Sequence, residues 1–423
     1  MIRSYTPTLA KFIRQKYIQH TTHRQELKLF RFISPPDTIL AQMMQDESCD
    51  MKVLALEAYY GGSHKAFIDG WIKHSRHDWT LLTLPANKWK WRMRHAAVTF
   101  ADRVNKLTDQ GRQWDIIVCS DMLNLAEFLG LTTGALQSLP GVVYFHENQL
   151  TYPVRFESER DYQFAVTNMT TALVATAVWF NSRFHRDQFL GALARFLKKM
   201  PDYQPTDAIE RIRAKSAVHP PGINKPPNRM ERMPGPIRIL WAARWEHDKN
   251  PDDFFESLKR LKAEGIDFRI SVIGPQFREV PRVFAWAKDF FTDHIDRWGY
   301  QKDPADYTAA LVEADVIVST ANHEFFGLSI AEAIAAGAFP LLPRRLSYPE
   351  LLEPVGSKRA GEFFYDGSVE DLARRLAHAA KLVQTSGLWP FDARHGSKAM
   401  MVFLWQNAAH VLDNALQHLL PSL

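Results

Sequence analysis

Short runs rich in β-branched and other apolar residues recur along this chain, alternating with stretches of helical spacing. Val53–Leu56, Thr80–Leu84, Ile116–Cys119, Val142–Phe145 and Val178–Asn181 lie in the first half. Ile237–Ala242, Ile270–Ile273, Val316–Ser319 and Phe339–Leu342 lie in the second. Between them, Lys65–His74, Arg160–Ala175, Pro251–Ala263 and Val369–Leu382 repeat apolar residues at helical intervals. Strands that carry no polar alternation are buried on both faces, which indicates parallel sheets covered by helices. The fold class is therefore α/β.

The segment His219–Pro236 holds six prolines (220, 221, 226, 227, 234 and 236) and two glycines, so it cannot form a regular element. It reads as a linker. At 423 residues the length suits two or three domains at roughly 150 residues each. The expected division is an extension over 1–50, an α/β half over 51–220, a linker over 221–236 and a second α/β half over 237–395. A closing segment, 396–423, carries one amphipathic helix, Lys398–Leu420, with no strand after it. That helix can pack back across either half.

Hydrophobic residues make up 46% and charged residues 23%, which excludes a disordered or fibrous chain. The longest apolar stretches, such as Ala172–Phe180, fall far short of the roughly 20 residues of a membrane span, so no membrane partner is expected. Cys49 and Cys119 are the two cysteines, too few for a disulfide framework or a four-thiolate metal site. A reducing, intracellular compartment is the simplest reading.

The net charge of +5 is unevenly placed. Residues 1–31 hold seven bases against Glu26, and residues 32–50 hold four acids and no base. Without 1–50 the chain keeps 45 bases and 42 acids, a net of +3. This segment reads as an over-extended start, a basic arm for nucleic acid or a transit peptide. A plain extension ahead of Met51 is the favoured reading, with no catalytic role.

In open α/β sheets, ligands sit where loops and helix N-termini meet at the carboxyl ends of strands. Three segments there carry chemistry. After Val316–Ser319 come His323, Glu324, Phe326, Gly327, Leu328 and Glu332. Gly327 permits close approach of the backbone, and the helix that follows offers free N–H donors to a phosphate. One carboxylate ahead of the helix and one inside it suit the hydroxyls of a nucleotide sugar, against the plainer reading of a helix-entry acid and an exposed helical acid. After Ile237–Ala242 come Arg244 and Lys249, fixed cations suited to neutralising a departing diphosphate. The plainer reading is that they pair with Glu246 and Asp248. After the first strand, Gly61 and Gly62 open a helix beside Ser63 and His64, a weak signal alone.

Three more segments are candidates. His146, Glu147, Asn148 and Gln149 follow Val142–Phe145, and Asn181, Ser182 and Arg183 end the next strand. Lys88, Trp89, Lys90, Trp91, Arg92, Met93, Arg94 and His95 interleave cations with tryptophan, suited to phosphate contact and base stacking. A solvated basic turn whose tryptophans pack on the domain fits that run equally well.

Together these segments resemble the retaining GT-B glycosyltransferases of the large family 4. Within it, Leu56–Lys65, Leu84–Arg92, Tyr144–Leu150, Arg244–Lys249, His323–Gly327 and Tyr348–Glu350 occur in order and resemble the tRNA-queuosine α-mannosyltransferase group. The resemblance covers about 51–350 and leaves 1–50 outside, in keeping with a start at Met51. It implies two Rossmann-like domains facing a central cleft, with the C-terminal helix able to cross back to the first domain. It also implies transfer of mannose from GDP-mannose to the cyclopentenediol of queuosine in a tRNA anticodon, in the cytoplasm, with no metal or cofactor.

Carried over residue by residue, Arg244 and Lys249 bind the diphosphate, Glu332 the ribose and Glu324 the hexose, while His146 lines the sugar site. Gly61, Gly62, Phe326, Gly327 and Leu328 complete the donor contacts. Ser63, His64, Lys88–Arg92, Asn148 and Gln149 are expected to receive the acceptor. Two rivals differ from this reading: the same donor logic with a glycan or lipid acceptor, and a non-catalytic RNA-binding GT-B scaffold. Salt dependence separates them, because an RNA acceptor binds more weakly as salt rises.

Overall fold

In the computed structural model the described residues are 50–154, 160–227, 232, 234–277, 279–356, 360–389 and 394–420. The readings made for 1–49 lie outside them. The first half folds into a parallel sheet of β1 (Lys52–Tyr60), β2 (Asp78–Pro85), β3 (Ile116–Ser120), β4 (Gly141–Phe145), β5 (Ala177–Phe180) and β6 (Ser216–Val218), in the order β2-β1-β3-β4-β5-β6. The second half folds likewise from β7 (Ile237–Ala242), β8 (Phe268–Ile273), β9 (Ile295–Gly299), β10 (Val316–Val318), β11 (Phe339–Pro343) and β12 (Phe364–Tyr365), in the order β12-β11-β10-β7-β8-β9.

Burial explains why the central strands read as unbroken apolar runs. In β1, Leu54 and Leu56 enter one hydrophobic cluster while Val53 and Ala55 enter another on the opposite face. Both faces exclude water, which favours apolar residues on each, and buried Glu57 further along β1 is held by hydrogen bonds from Tyr59 and Ser120. The strands that the sequence pattern misses, β6, β9 and β12, all lie at sheet edges. β6 is half-buried, β9 carries Asp296 and Arg297, and β12 has two residues. Edge strands need no apolar run and often carry charge.

Capping sets several helix starts. Asp161 accepts from the Gln163 N–H at 3.0 Å, so the helix expected from Arg160 begins at Tyr162 and runs to Val174. Ser182 caps Arg183–Leu197 by accepting from the His185 N–H at 3.0 Å. The basic, tryptophan-rich run from Lys88 to His95 is not a turn. It forms the opening turns of the helix Trp89–Asp109.

The closing segment also differs from expectation. Lys398–Leu420 is not one helix but the helix His395–Met400, a 3-10 turn Met401–Phe403 and the helix Trp405–Gln417. The break at Leu404 comes from the linker. The Ile223 N–H donates to the Phe403 carbonyl at 2.8 Å, and the Trp405 N–H donates to the Ile223 carbonyl at 3.1 Å. Those bonds use backbone groups that a continuous helix needs.

Trp405–Gln417 then packs on the first sheet, where Trp405, Ala409, Leu412 and Leu416 share a core with Val53, Trp71 and Trp179. Buried Asp413 accepts from Trp71 Nε1 at 2.8 Å, Ser75 Oγ at 2.9 Å and the Arg76 N–H at 2.9 Å. No helix among the described residues is long and apolar enough to cross a membrane.

Candidate active site

The loops after β7 and β10 meet at the head of the helix Leu328–Ala335. Gly327, with φ +96°, turns the chain into that helix through a left-handed conformation that a side chain rarely adopts. The first-turn N–H groups beyond it have no intrahelical acceptor. Lys249, 5% exposed, aims Nζ into the same place, donating to the His323 carbonyl at 2.6 Å. It pairs with Glu324 at 3.4 Å and Asp248 at 3.3 Å. Burial pushes the Glu324 carboxyl up, but Lys249, His323 and Arg244 together outweigh it and hold the group below its ordinary value. Thr320 Oγ1 donates to the Lys249 carbonyl at 2.9 Å, and the Asn322 N–H donates to the Asp248 carbonyl at 2.7 Å. These bonds lock the two loops together.

Arg244 lies alongside, 3.2 Å from Glu246, and donates to the Tyr152 hydroxyl at 2.7 Å. The plainer pairing with Glu246 and Asp248 therefore exists, and Lys249 reaches Glu324 ahead of the helix as well. Tyr152 belongs to the first half, so this bond spans the two. Ser182 Oγ donates to the Phe325 carbonyl at 2.5 Å, and His185 stacks on Phe325 at 3.8 Å. Glu350 accepts the Arg183 and Phe184 N–H groups at 2.8 and 3.1 Å, capping the first-half helix from the second half.

On the first-half side, the ends of β1, β3 and β4 bring Glu57, His64, Asp121, His146 and Glu147 together. His64 and His146 rings lie 4.1 Å apart. His64 Nδ1 is 3.2 Å from Glu57 Oε1, which also accepts from Ser120 Oγ at 2.9 Å and the Tyr59 N–H at 2.8 Å. Burial alone would lower the His64 pKa, but the charge and hydrogen bond of Glu57 raise it to about 9. His146 is held well below its usual range by burial and then by His64, so it is neutral. Asp121, fully buried, accepts the His146 N–H at 2.9 Å, and burial pushes its carboxyl up to about 8. Among the described residues, Glu57, His64 and His146 are the group whose ligand atoms all lie within 4.8 Å, close enough to share a metal ion. The His64 proton on Glu57 competes with that role.

This network predicts an alkaline loss of stability. The unfolded imidazole titrates at 6.5, so folded His64 holds an extra proton between pH 6.5 and 9. Its contribution, about 3 kcal/mol, is fully present below pH 6.5 and lost as the pH rises through 9. Asp121 acts in the same direction between pH 3.8 and 8. The urea midpoint is expected to fall from pH 6.5 to pH 9.5, and an unchanged midpoint contradicts the assignment.

The remaining candidates are spread more widely. Glu332 accepts from the Tyr307 hydroxyl at 2.6 Å, and burial raises its carboxyl. With Leu328 it lines a cavity of about 230 Å³ against Phe67, Gly222 and Trp405. Phe326 is buried in the second core. Gly61 sits where a Cβ would lie 2.4 Å from Ala86, which brings the Lys88 segment beside the Gly61–Gly62 turn, where Ser63 is exposed.

Lys88, Lys90 and Trp91 are exposed, whereas Trp89 packs on Phe164 at 5.2 Å. Arg92 donates to the Pro85 carbonyl and to Asn87. Asn148, fully buried, holds a turn by accepting the Leu150 and Thr151 N–H groups, and Gln149, also buried, donates to Glu147 at 3.3 Å. Asp121 and Tyr152 escaped the sequence reading, with Glu57 read only within Leu56–Lys65 and Glu246 only as a partner for the cations. Of these, Asp121 directly follows a core strand, the position where ligand groups collect.

The comparisons agree with this architecture. Residues 52–223 match the family model described as tRNA-queuosine alpha-mannosyltransferase N-terminal, and residues 228–384 match the model described as glycosyl transferases group 1. A Drosophila melanogaster tRNA-queuosine alpha-mannosyltransferase is 35% identical over 311 residues, 71% of this chain and 81% of that protein.

Among solved structures, the catalytic domain of starch synthase IV from Arabidopsis thaliana superposes with a TM-score of 0.64 at 12% identity, covering 88% of this chain and 99% of that one. Anabaena HepE in complex with UDP gives 0.58 at 12%, covering 88% of this chain and all of that one. These structures share the GT-B fold. With two parallel sheets in this arrangement and 35% identity over 81% of that protein, the chain belongs to the tRNA-queuosine alpha-mannosyltransferase family.

Proposed function

We propose that this protein transfers mannose from GDP-mannose to the cyclopentenediol of queuosine in a tRNA anticodon, with retention of configuration, in the cytoplasm. The observation that carries the reading is the clustering of Arg244, Lys249 and Glu324 about Asp248, just ahead of the helix Leu328–Ala335, in a chain 35% identical to a protein of that name. Arg244, Lys249 and the first-turn N–H groups would hold the diphosphate, doing electrostatically what a metal does elsewhere. Glu324 would orient the hexose and Glu332 the ribose, while neutral His146 lines the sugar.

In the transfer, the acceptor oxygen bonds to the anomeric carbon as the carbon–phosphate-oxygen bond breaks on the same face. The hydroxyl proton passes to the departing diphosphate. Incubating the protein with separate nucleotide sugars and total tRNA, then measuring nucleoside masses, tests donor and acceptor together. One hexose on queuosine with GDP-mannose alone is expected. Hexose on no nucleoside with any donor overturns the reading.

A further inference from the structure

Arg244 is held in place without being neutralised. Among the described residues its guanidinium donates one hydrogen bond, from Nη1 to the Tyr152 hydroxyl at 2.7 Å. The carboxylates nearest in sequence stand further off, Glu246 at 3.2 Å from Nη1 and Asp248 at 4.0 Å from Nη2. An arginine placed for stability spends its planar fork on a carboxylate, which accepts two parallel N–H bonds. A phenolic oxygen fixes one nitrogen and brings no charge. The guanidinium therefore keeps its charge and its other N–H donors.

Tyr152 is itself fixed by the turn that carries it. Buried Asn148 accepts the Leu150 and Thr151 N–H groups at 3.1 and 3.0 Å, and the Tyr152 N–H donates to the Asn148 carbonyl at 3.0 Å. Arg160 Nη1 donates to the Gln149 and Tyr152 carbonyls, both at 3.1 Å. The Gln149 N–H donates to buried Asn168 at 2.8 Å. The tyrosine ring that this turn presents lies 5.8 Å from the Arg244 guanidinium carbon and 5.8 Å from the His323 ring. The His323 carbonyl in turn accepts from Lys249 Nζ at 2.6 Å. One first-half side chain thus meets both second-half loops that hold the cations.

We infer that Tyr152 is a positioning residue for the donor: its hydroxyl holds Arg244 from the other half in an orientation that leaves the guanidinium free for a diphosphate. The inference rests on the proposed function, which supplies the diphosphate. It makes the anion site a joint product of the two halves, although both its cations come from the second. Without the hydroxyl, Glu246 is the nearest remaining acceptor for Nη1, and the guanidinium turns to it. The charge that the diphosphate needs is then spent within the second half.

Tyr152→Phe removes the accepting oxygen and keeps the ring. Its GDP affinity, measured by calorimetry at fixed salt, is expected to fall about tenfold. kcat/KM for GDP-mannose is expected to fall by at least that factor, while the tRNA KM stays within about twofold. The urea midpoint is expected to match wild type. In an Arg244→Lys background, where there is no fork to orient, adding Tyr152→Phe is expected to change GDP affinity by less than about twofold. Adding Glu246→Gln to Tyr152→Phe removes the competing carboxylate and is expected to restore most of the lost affinity. Unchanged GDP affinity in Tyr152→Phe overturns the inference, and so does the full loss repeated in the Arg244→Lys background or the lack of any rescue by Glu246→Gln. A Tyr152→Phe protein that does not fold overturns it too, because the tyrosine is then part of the scaffold. Wild type that binds no nucleoside diphosphate overturns the proposed function itself, a result distinct from the others.

Discussion

Lys249→Ala is expected to lower mannosyl transfer by at least about a thousandfold, or about 4 kcal/mol of transition-state stabilisation. Its ammonium is buried, held by the His323 carbonyl and placed between Glu324 and Asp248. On the proposed function, removing it takes a cation away from the leaving diphosphate and leaves Glu324 and Asp248 there without it. Donor affinity should therefore fall along with turnover. The fold is expected to survive, because Glu324 is only half-buried and can take up water or a proton. Circular dichroism establishes folding, and single-turnover transfer measures the loss. Near-normal transfer by a folded Lys249→Ala protein would remove the diphosphate site from this helix head.

Trp405→Ala is expected to cost about 3–5 kcal/mol of stability, read as a lower urea midpoint at unchanged slope. The indole fills a space made for it by two glycines. A Cβ on Gly70 would lie 2.1 Å from the ring, and one on Gly222 would lie 2.2 Å from it. One side chain thus joins the helix Gly62–His74, the linker and the closing helix. The variant leaves a cavity against Phe67, which Trp405 meets at 5.8 Å, and enlarges the space beside Glu332. The reciprocal change, Gly222→Ala, is expected to destabilise by overpacking, by about 1–3 kcal/mol. Wild-type midpoints in both variants would mean that the crossing contact contributes little.

The interior of both sheets was legible because it obeys one local rule. Strands such as Val142–Phe145 are buried on both faces and therefore apolar without interruption. β9 was not legible, since an edge strand with Asp296 and Arg297 satisfies its environment with charge. Arg244, Lys249 and Glu324 could be picked out because each follows such a strand at the cleft edge. Tyr152 and Glu147 could not be given their surroundings, because those are contributed by residues about a hundred positions away. The break at Leu404 is hidden for the same reason: the linker backbone imposes it.

The return of Trp405–Gln417 to the first sheet has a consequence for the order in which the protein is made. Until Trp405–Gln417 leaves the ribosome, the face of β1, β3, β4 and β5 that packs on Phe67, Ile68 and Trp71 lacks part of its cover. The nascent first half waits, apolar side exposed, while the entire second half is synthesised and folds. A ribosome stalled or a chain cut shortly before Trp405 should leave the second half native and the first half a client for chaperones.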